Sequence, residues 1–191
     1  ASITTYRDAI TELEGVLSGQ VQPDIITLMR ADSTDLYTFL KKSCEIQSSI
    51  RYRAERTAII GTTAGTTPAG AMSLAQTMGS TRVRLVYPDM ATLNIQDALG
   101  NIKEYLVDGP YLAAALMGSI VSPNVDVATP WTGRRLVGFT QLARQLDAVQ
   151  ANQVATKGVT ILQDQPPFIK VRHGLTTDMT NILTKLPTIV M

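Results

Sequence analysis

Two short apolar runs, separated by a Gly- and Thr-rich loop and a helix-forming segment, restrict the possible folds of this chain most. The first run covers residues 56–61 and ends at a glycine, and the second covers residues 82–89 and contains Pro88. Compact β-branched runs that are closed by a glycine or a proline are typical of strands buried on both faces. Residues 71–78 have helix-forming composition, and Gly79 lies where a C-cap belongs. The sequence therefore predicts a right-handed βαβ unit, whose parallel strands need helices on both faces of the sheet.

The N-terminal segments supply two helices and a further strand. Apolar residues recur at spacings of three and four over residues 3–17, and a short apolar run follows at residues 24–29. Asp32 or Ser33 is a suitable N-cap for a second amphipathic helix that extends to Ile50. The order up to the second central strand is helix, strand, helix, strand, helix, strand, which is an α/β layer pattern.

Residues 92–107 fit two different structures. Residues 92–97 alternate between apolar and polar side chains, and Gly100 follows as a turn signal, so residues 102–107 could return as the second strand of a β-hairpin. A helix would place a glycine in its interior, which costs roughly 1 kcal/mol relative to alanine. We therefore favour the hairpin, although helical spacing is kept by four apolar residues: Ile95, Leu99, Ile102 and Leu106.

A buried helix is predicted after this segment. Asp108 is an N-cap candidate, Pro110 fits the first turn, and residues 111–121 are almost wholly apolar. The alanines at 113–115 and Gly118 leave one face with little side chain. We expect another backbone to approach the helix closely on that face.

The C-terminal third is predicted to contain a loop, a helix and a second hairpin. Residues 122–138 are typical of an irregular loop, and a loop of this length is often an interaction element. Residues 142–158 have the spacing of a helix that a glycine closes. Residues 159–162 and 168–172 are predicted strands, joined by a turn at residues 164–167.

Together the segments predict an α/β fold of mixed α+β character. In this fold, helices surround a central mixed sheet that has a βαβ core and added β-hairpins. The length suits a single domain over residues 1–191. The chain begins without Met and stops inside an apolar run, so we expect a fragment that is truncated at its C-terminal end.

Composition excludes several classes of function. The formal net charge is +1, and the Lys and Arg residues are scattered, whereas nucleic-acid and membrane-surface binders concentrate positive charge. We therefore expect no direct nucleic-acid or membrane partner. No apolar run approaches the roughly 20 residues of a membrane span. Cys44 is the only cysteine, and its amphipathic surroundings indicate a buried, inert thiol.

The loop from Gly61 to Gly70 is the natural place for a phosphate site, because it follows a strand and precedes a helix. It lacks the Lys and Ser or Thr that a P-loop carries after its last glycine, and it contains no Gly-x-Gly. His173 is the only histidine, and no Gly-x-Ser-x-Gly elbow is present. We predict neither enzyme activity nor a cofactor or metal. The alternative is a Rossmann-like ligand-binding or enzyme domain that uses the Gly61–Gly70 loop.

Six segments, taken in order, resemble the tail sheath proteins of contractile bacteriophages. No single segment is specific, and their order and spacing carry the resemblance. The segments are residues 55–61, 82–89, 108–118, 130–133, 152–162 and 171–178.

The resemblance implies a structural protein of the virion tail that is assembled in the host cytoplasm. Sheath subunits form hexameric rings that stack helically around the tail tube protein above a baseplate. They contract to drive the tube through the host envelope for genome ejection. Terminal arms that add strands to neighbouring subunits would be absent from this chain, so we expect it to be a monomer by itself.

Contraction requires contacts that break and form again, and weak polar contacts between charged side chains suit that requirement. Four basic residues near the predicted loop and the second hairpin are our candidate subunit contacts: Arg134, Arg135, Lys170 and Arg172.

Overall fold

The computed structural model describes residues 2–14, 23–29, 32–121 and 131–178. Within these ranges it contains five helices and nine strands. The helices are α1 (Ile3–Glu14), α2 (Thr34–Gln47), α3 (Pro68–Met78), α4 (Gly109–Ile120) and α5 (Ala148–Ala155). The strands are β1 (Ile25–Thr27), β2 (Thr57–Gly61), β3 (Val83–Tyr87), β4 (Met90–Gln96), β5 (Ile102–Asp108), β6 (Arg135–Leu136), β7 (Phe139–Leu142), β8 (Val159–Gln165) and β9 (Phe168–His173).

The strands form two sheets. The larger sheet has the order β1-β2-β3-β8-β9-β6; its first four strands are parallel, and β9 runs antiparallel to both β8 and β6. The smaller sheet is antiparallel with the order β5-β4-β7. The predicted mixed α/β fold is confirmed.

The central βαβ unit is present as predicted from the sequence. Strands β2 and β3 pair in parallel with Ile60 opposite Leu85, and every residue of both strands is buried. Helix α3 joins them and begins where Oγ1 of Thr67 accepts the N–H of Gly70 at 3.1 Å. It ends at Gly79, whose φ of 43° lies in the left-handed region that favours glycine.

Alternating side chains of the central strands contribute to two separate hydrophobic clusters. Ala58 and Ile60 pack with residues of α1, α2, α3 and α5. Ile59 and Val86 pack with α4 and with residues of the smaller sheet. Because successive strand residues point to opposite faces, four helices cover one face of the large sheet, and α4 with the smaller sheet covers the other.

The end of β2 and the start of α4 are in direct backbone contact. A Cβ on Gly61 would overlap the carbonyl carbon of Gly109, and a Cβ on Gly109 would overlap the carbonyl oxygen of Thr62. The close approach predicted for α4 is therefore at its first residue. It is not at Gly118, which is exposed and has open space beside it.

The β4–β5 hairpin is confirmed, and the alternative helix over this segment is wrong. The two strands pair antiparallel along their full length of seven residues each. Gly100 in the connecting turn has a φ of 85°. A carboxylate oxygen of Asp97 accepts the N–H groups of Leu99 and Asn101, both at 2.9 Å, and thereby closes the turn.

The helix predicted from residue 142 is wrong at its start. Leu142 is the last residue of β7, where its N–H donates to a carboxylate oxygen of Asp164 at 2.9 Å. Helix α5 begins at Ala148, because Asp147 and Gln150 form a reciprocal capping box there. A tertiary hydrogen bond thus outweighs the helical spacing of Leu142.

Two further boundaries differ from the prediction. Arg135 and Leu136, which we expected in a loop, form β6 and pair with β9. Residues 164–165 continue β8, so the turn of the second hairpin contains only Pro166 and Pro167. Both differences arise from cross-strand pairing, which local sequence does not encode.

The N-terminal predictions hold with one exception. Ser33 is the N-cap of α2, and its hydroxyl accepts the N–H of Leu36 at 3.3 Å. Ile46 and Ile50 were expected on the apolar side of this helix, yet both are exposed: Ile50 lies beyond the end of α2 at Gln47, and Ile46 lies in the last turn of the helix. Residues 15–17 of the first predicted helix, residues 122–130 of the predicted loop and the C-terminal residues 179–191 lie outside the described residues.

Candidate subunit-contact surface

Strands β6 and β9 bring three of the four candidate contacts onto one face. Arg135 and Lys170 are directly opposite each other in the antiparallel pair. Arg172 and Phe168 lie two residues from Lys170 along β9, so the alternation of strand side chains puts them on the same face. The intervening Ile169 and the neighbouring Val171 are fully buried and belong to the core.

We call the surface formed by Arg135, Phe168, Lys170 and Arg172 the cationic face. The guanidinium of Arg135 lies over the ring of Phe168, 4.7 Å from its centroid. Such a contact holds a cation in place on an aromatic surface without neutralising its charge. Within the part of the chain that the structure describes, none of the three cations has an acidic partner.

Arg172 makes polar contacts that orient its side chain. Its Nη1 donates to Oε1 of Gln163 at 3.3 Å, and its Nε donates to Nε2 of His173 at 3.3 Å. Both contacts are with uncharged groups, so the positive charge of Arg172 stays available to a partner. His173 is thereby placed beside an arginine at the sheet.

Arg134 lies apart from the other three candidates. Its Nη1 donates to the carbonyl oxygen of Ser119 near the end of α4 at 3.2 Å. Its Nε and Nη2 are buried without a hydrogen-bond partner in the described structure, and burial lowers the pKa of Arg134. The side chain is half-buried and is directed toward α4, away from the cationic face.

Sequence reasoning missed Phe168 as a member of this surface. The signal was available, because residues 168, 170 and 172 alternate with apolar residues 169 and 171 in a predicted strand. The sequence could not show that Phe168 lies beneath Arg135, because that contact depends on the pairing of β6 with β9. Whether the four arginine and lysine residues contact another subunit stays a prediction.

The Gly61–Gly70 loop is held by protein groups at the place where a phosphate would need free N–H donors. The N–H of Gly65 donates to Oδ2 of Asp89 at 2.7 Å, and Asp89 is almost fully buried. Arg144 lies 3.7 Å from the other carboxylate oxygen. A carboxylate in this position would repel a phosphate rather than bind it.

A groove beside this loop is lined mainly by hydroxyl groups. It has a volume of about 360 Å³, and the described residues that line it include no Lys or Arg. The lining comprises Asp32, Ser33, Thr34, Tyr37, Thr63, Thr66, Gly70, Ser73, Leu74 and Thr77. The described lining therefore presents no cationic side chain that could bind a phosphate.

The described ranges provide neither a metal-binding cluster nor a membrane-spanning helix. They contain no group of three or more His, Cys, Asp or Glu residues that could hold a metal ion. No helix among those described is long and apolar enough to cross a membrane.

Comparison with known proteins identifies a relative in sequence. The tail sheath protein of Mycobacterium phage Bxz1 is 27% identical over 154 residues, which cover 78% of this chain and 25% of that protein. The chain therefore spans about a quarter of the length of the relative that it matches. No family model matches the sequence.

Solved structures share the fold at lower sequence identity. The sheath tail protein from Desulfitobacterium hafniense matches with a TM-score of 0.69 and 14% identity, over 97% of this chain and 37% of that chain. The helical sheath of the anti-feeding prophage in its contracted state matches with a TM-score of 0.59 and 11% identity, over 94% of this chain and 46% of that chain. The resemblance expected from the sequence motifs is confirmed: this chain is similar in sequence to part of a phage tail sheath protein and has the fold found in sheath tail proteins.

Proposed function

We propose that this chain is part of the structural subunit of a contractile tail sheath. One observation carries the proposal: the sequence matches a phage tail sheath protein over most of this chain, and the same fold occurs in a helical sheath in its contracted state. The subunit polymerises around a tail tube and contracts to drive the tube through the host envelope.

The packing of the described residues suits a body that moves as a unit during contraction. The large sheet is covered on both faces, with one hydrophobic cluster packed on each face. Interiors packed in this way transmit displacement and do not deform continuously. A net charge of +1 leaves little long-range repulsion between adjacent copies.

We propose a single domain over residues 1–191. Ala91 and Leu142 of the smaller sheet share one hydrophobic cluster with Ile59 and Val86 of the larger sheet. A shared core of this kind is what distinguishes one domain from two.

The partners in this proposal are other copies of the subunit, the tail tube protein and the baseplate. Copies associate in hexameric rings that stack helically, the assembly forms in the host cytoplasm, and the finished protein resides in the virion tail. The chain by itself, which corresponds to a quarter of its relative, is expected to remain monomeric.

We propose a non-enzymatic role without a cofactor. The relatives in sequence and fold are structural sheath proteins. The Asp89 carboxylate bound to Gly65 also disfavours the alternative of a phosphate-binding Gly61–Gly70 loop.

Electron microscopy of the protein expressed from its complete reading frame tests this proposal. We expect hollow tubes with helical striations, whereas the 191-residue chain expressed alone should give dispersed particles. The 191-residue chain serves as the matched control, because it covers only about a quarter of the relative's length. Dispersed particles from the complete protein under several salt conditions would contradict the proposed function.

A further inference from the structure

The β4–β5 hairpin exposes several large apolar side chains. Ile102 is 68% exposed and Leu106 is 60% exposed, and Leu99 at the turn is 86% exposed. The alternation along β5 puts Ile102, Glu104 and Leu106 on one face, opposite to Val107, which packs against the core. We call Ile102, Glu104 and Leu106 the hairpin face.

Glu104 is the uncompensated charge of this surface. The adjacent Lys103 lies 3.6 Å from a carboxylate oxygen of Asp97, so the charge of Lys103 is partly balanced within the hairpin. Glu104 has no basic partner among the described residues, and it lies between two exposed aliphatic side chains. Exposed aliphatic side chains that share one face of a strand make this surface a candidate interaction site.

The charges of the cationic face are opposite in sign to that of Glu104, and its side chains also recur at every second residue of a strand. Along β9 it presents an aromatic ring at Phe168, then Lys170 and Arg172, and no acidic residue balances these charges in the described structure. Side chains two residues apart on a strand are separated by about 7 Å on either surface. Glu104 could therefore meet Lys170 while an aliphatic neighbour of Glu104 packs on Phe168.

We propose that the hairpin face of one copy docks on the cationic face of a second copy of this chain. This inference rests on the proposed function, because it names a contact between sheath subunits. The two faces lie on different sheets of one molecule. A contact between two different surfaces is heterologous, and its repetition produces rings or an open helix rather than a closed dimer.

Charge reversal in the complete protein tests the contact. E104K and K170E each place like charges opposite each other, and neither side chain makes a hydrogen bond or ion pair in the described structure whose loss would disturb the fold. Each variant alone should raise the critical concentration for assembly by at least about tenfold. E12K, which reverses an exposed charge on α1, is the matched control and should assemble like the wild type.

An equimolar mixture of E104K and K170E is the decisive sample. In an alternating polymer, the introduced lysine of one variant meets the introduced glutamate of the other, and the second contact pairs the two native residues. The mixture should therefore assemble near the wild-type critical concentration. Failure of the mixture to recover, or normal assembly of either variant alone, would overturn the inference while leaving the proposed function intact. A wild-type protein that does not assemble would overturn both.

Chemical labelling before and after assembly tests whether a second copy covers the hairpin face. In an L106C variant of the complete protein, the introduced thiol should react with a maleimide before assembly and be protected at least about tenfold after assembly, as expected for a side chain buried in an interface. Peptide mapping locates the label. Protection already present in unassembled protein would show that the protein's own chain covers the hairpin, and the inference would then be wrong.

Discussion

The guanidinium carbon of Arg84 lies 3.7 Å from the ring centroid of Trp131 in the protein interior. Arg84 is 1% exposed, and its Nε has no hydrogen-bond partner in the described structure. Burial lowers the pKa of Arg84 to about 10. The ring face of Trp131 is a described contact that stabilises this buried charge.

We expect R84M to retain the stability of the chain within about 1 kcal/mol or to increase it. Replacing a buried charge by an apolar side chain of similar length removes a desolvation penalty and keeps the packing. W131A should instead lower the free energy of unfolding by about 3–5 kcal/mol, because it removes both the cation–π contact and a large buried side chain. Urea unfolding of the three proteins measures both effects. A loss of more than about 3 kcal/mol in R84M would show that the charge itself is stabilising.

The stability difference between wild type and R84M should depend on pH. Below about pH 10 the arginine is charged in both the folded and the unfolded state, and its burial opposes folding. As the pH rises above about 10, the folded state releases the proton before the unfolded state does, so the wild type gains stability relative to R84M. Unfolding midpoints of both proteins between pH 9 and pH 11 should show this relative increase. A constant difference would contradict the lowered pKa.

The contact between Gly61 and Gly109 predicts opposite effects for two glycine substitutions. G61A should destabilise the chain by more than about 3 kcal/mol, because its Cβ would overlap the backbone of Gly109 and force β2 and α4 apart. G118A is the matched control: it is exposed within α4, has nothing within 4 Å of an added Cβ, and should gain roughly 0.5–1 kcal/mol. Thermal and urea unfolding of the two variants give the sign directly. Equal effects would mean that β2 and α4 are not in backbone contact.

The thiol of Cys44 should be unreactive in the folded protein. Cys44 is 0% exposed, and burial raises the pKa of its thiol to about 12, so the reactive thiolate is scarce at neutral pH. An aromatic disulfide reagent should titrate it only after unfolding in urea. A K42C variant provides an exposed thiol on the same helix. This introduced thiol should react within seconds, while Cys44 in the same folded protein stays unreacted. Rapid reaction of the wild type would contradict the burial of Cys44.

Thr177 joins two segments that lie far apart in the chain. Its hydroxyl accepts the N–H of Ser80 at 3.0 Å and donates to the carbonyl oxygen of Ser80 at 3.1 Å. T177V should lower the free energy of unfolding by about 1–3 kcal/mol, because it leaves the buried N–H of Ser80 unpaired, whereas the carbonyl oxygen of Ser80 still accepts the N–H of Asp178. T38V removes an exposed hydroxyl bonded within α2 and should change stability by less than about 0.5 kcal/mol. Similar losses in both variants would argue against a tertiary role for Thr177.

Local sequence predicted the elements whose signals lie within a few residues. The βαβ unit followed from two apolar runs with Gly79 after the helix, and the β4–β5 hairpin followed from alternation around Gly100. These signals are strong because glycine conformation, helix capping and side-chain alternation depend on adjacent residues. The order of six motifs also carried the resemblance to sheath proteins, which the comparisons confirm.

Only the tertiary structure decided which distant residues meet. Leu142 became a strand residue because its N–H reaches Asp164, and Arg135 joined Phe168 and Lys170 because β6 pairs with β9. The sequence named Arg134 and Arg135 together, yet alternation and packing send one toward α4 and the other onto the cationic face. Sequence patterns determine secondary structure through short-range preferences, whereas a binding surface depends on strand pairing across long separations, and that pairing is fixed only when the two cores pack.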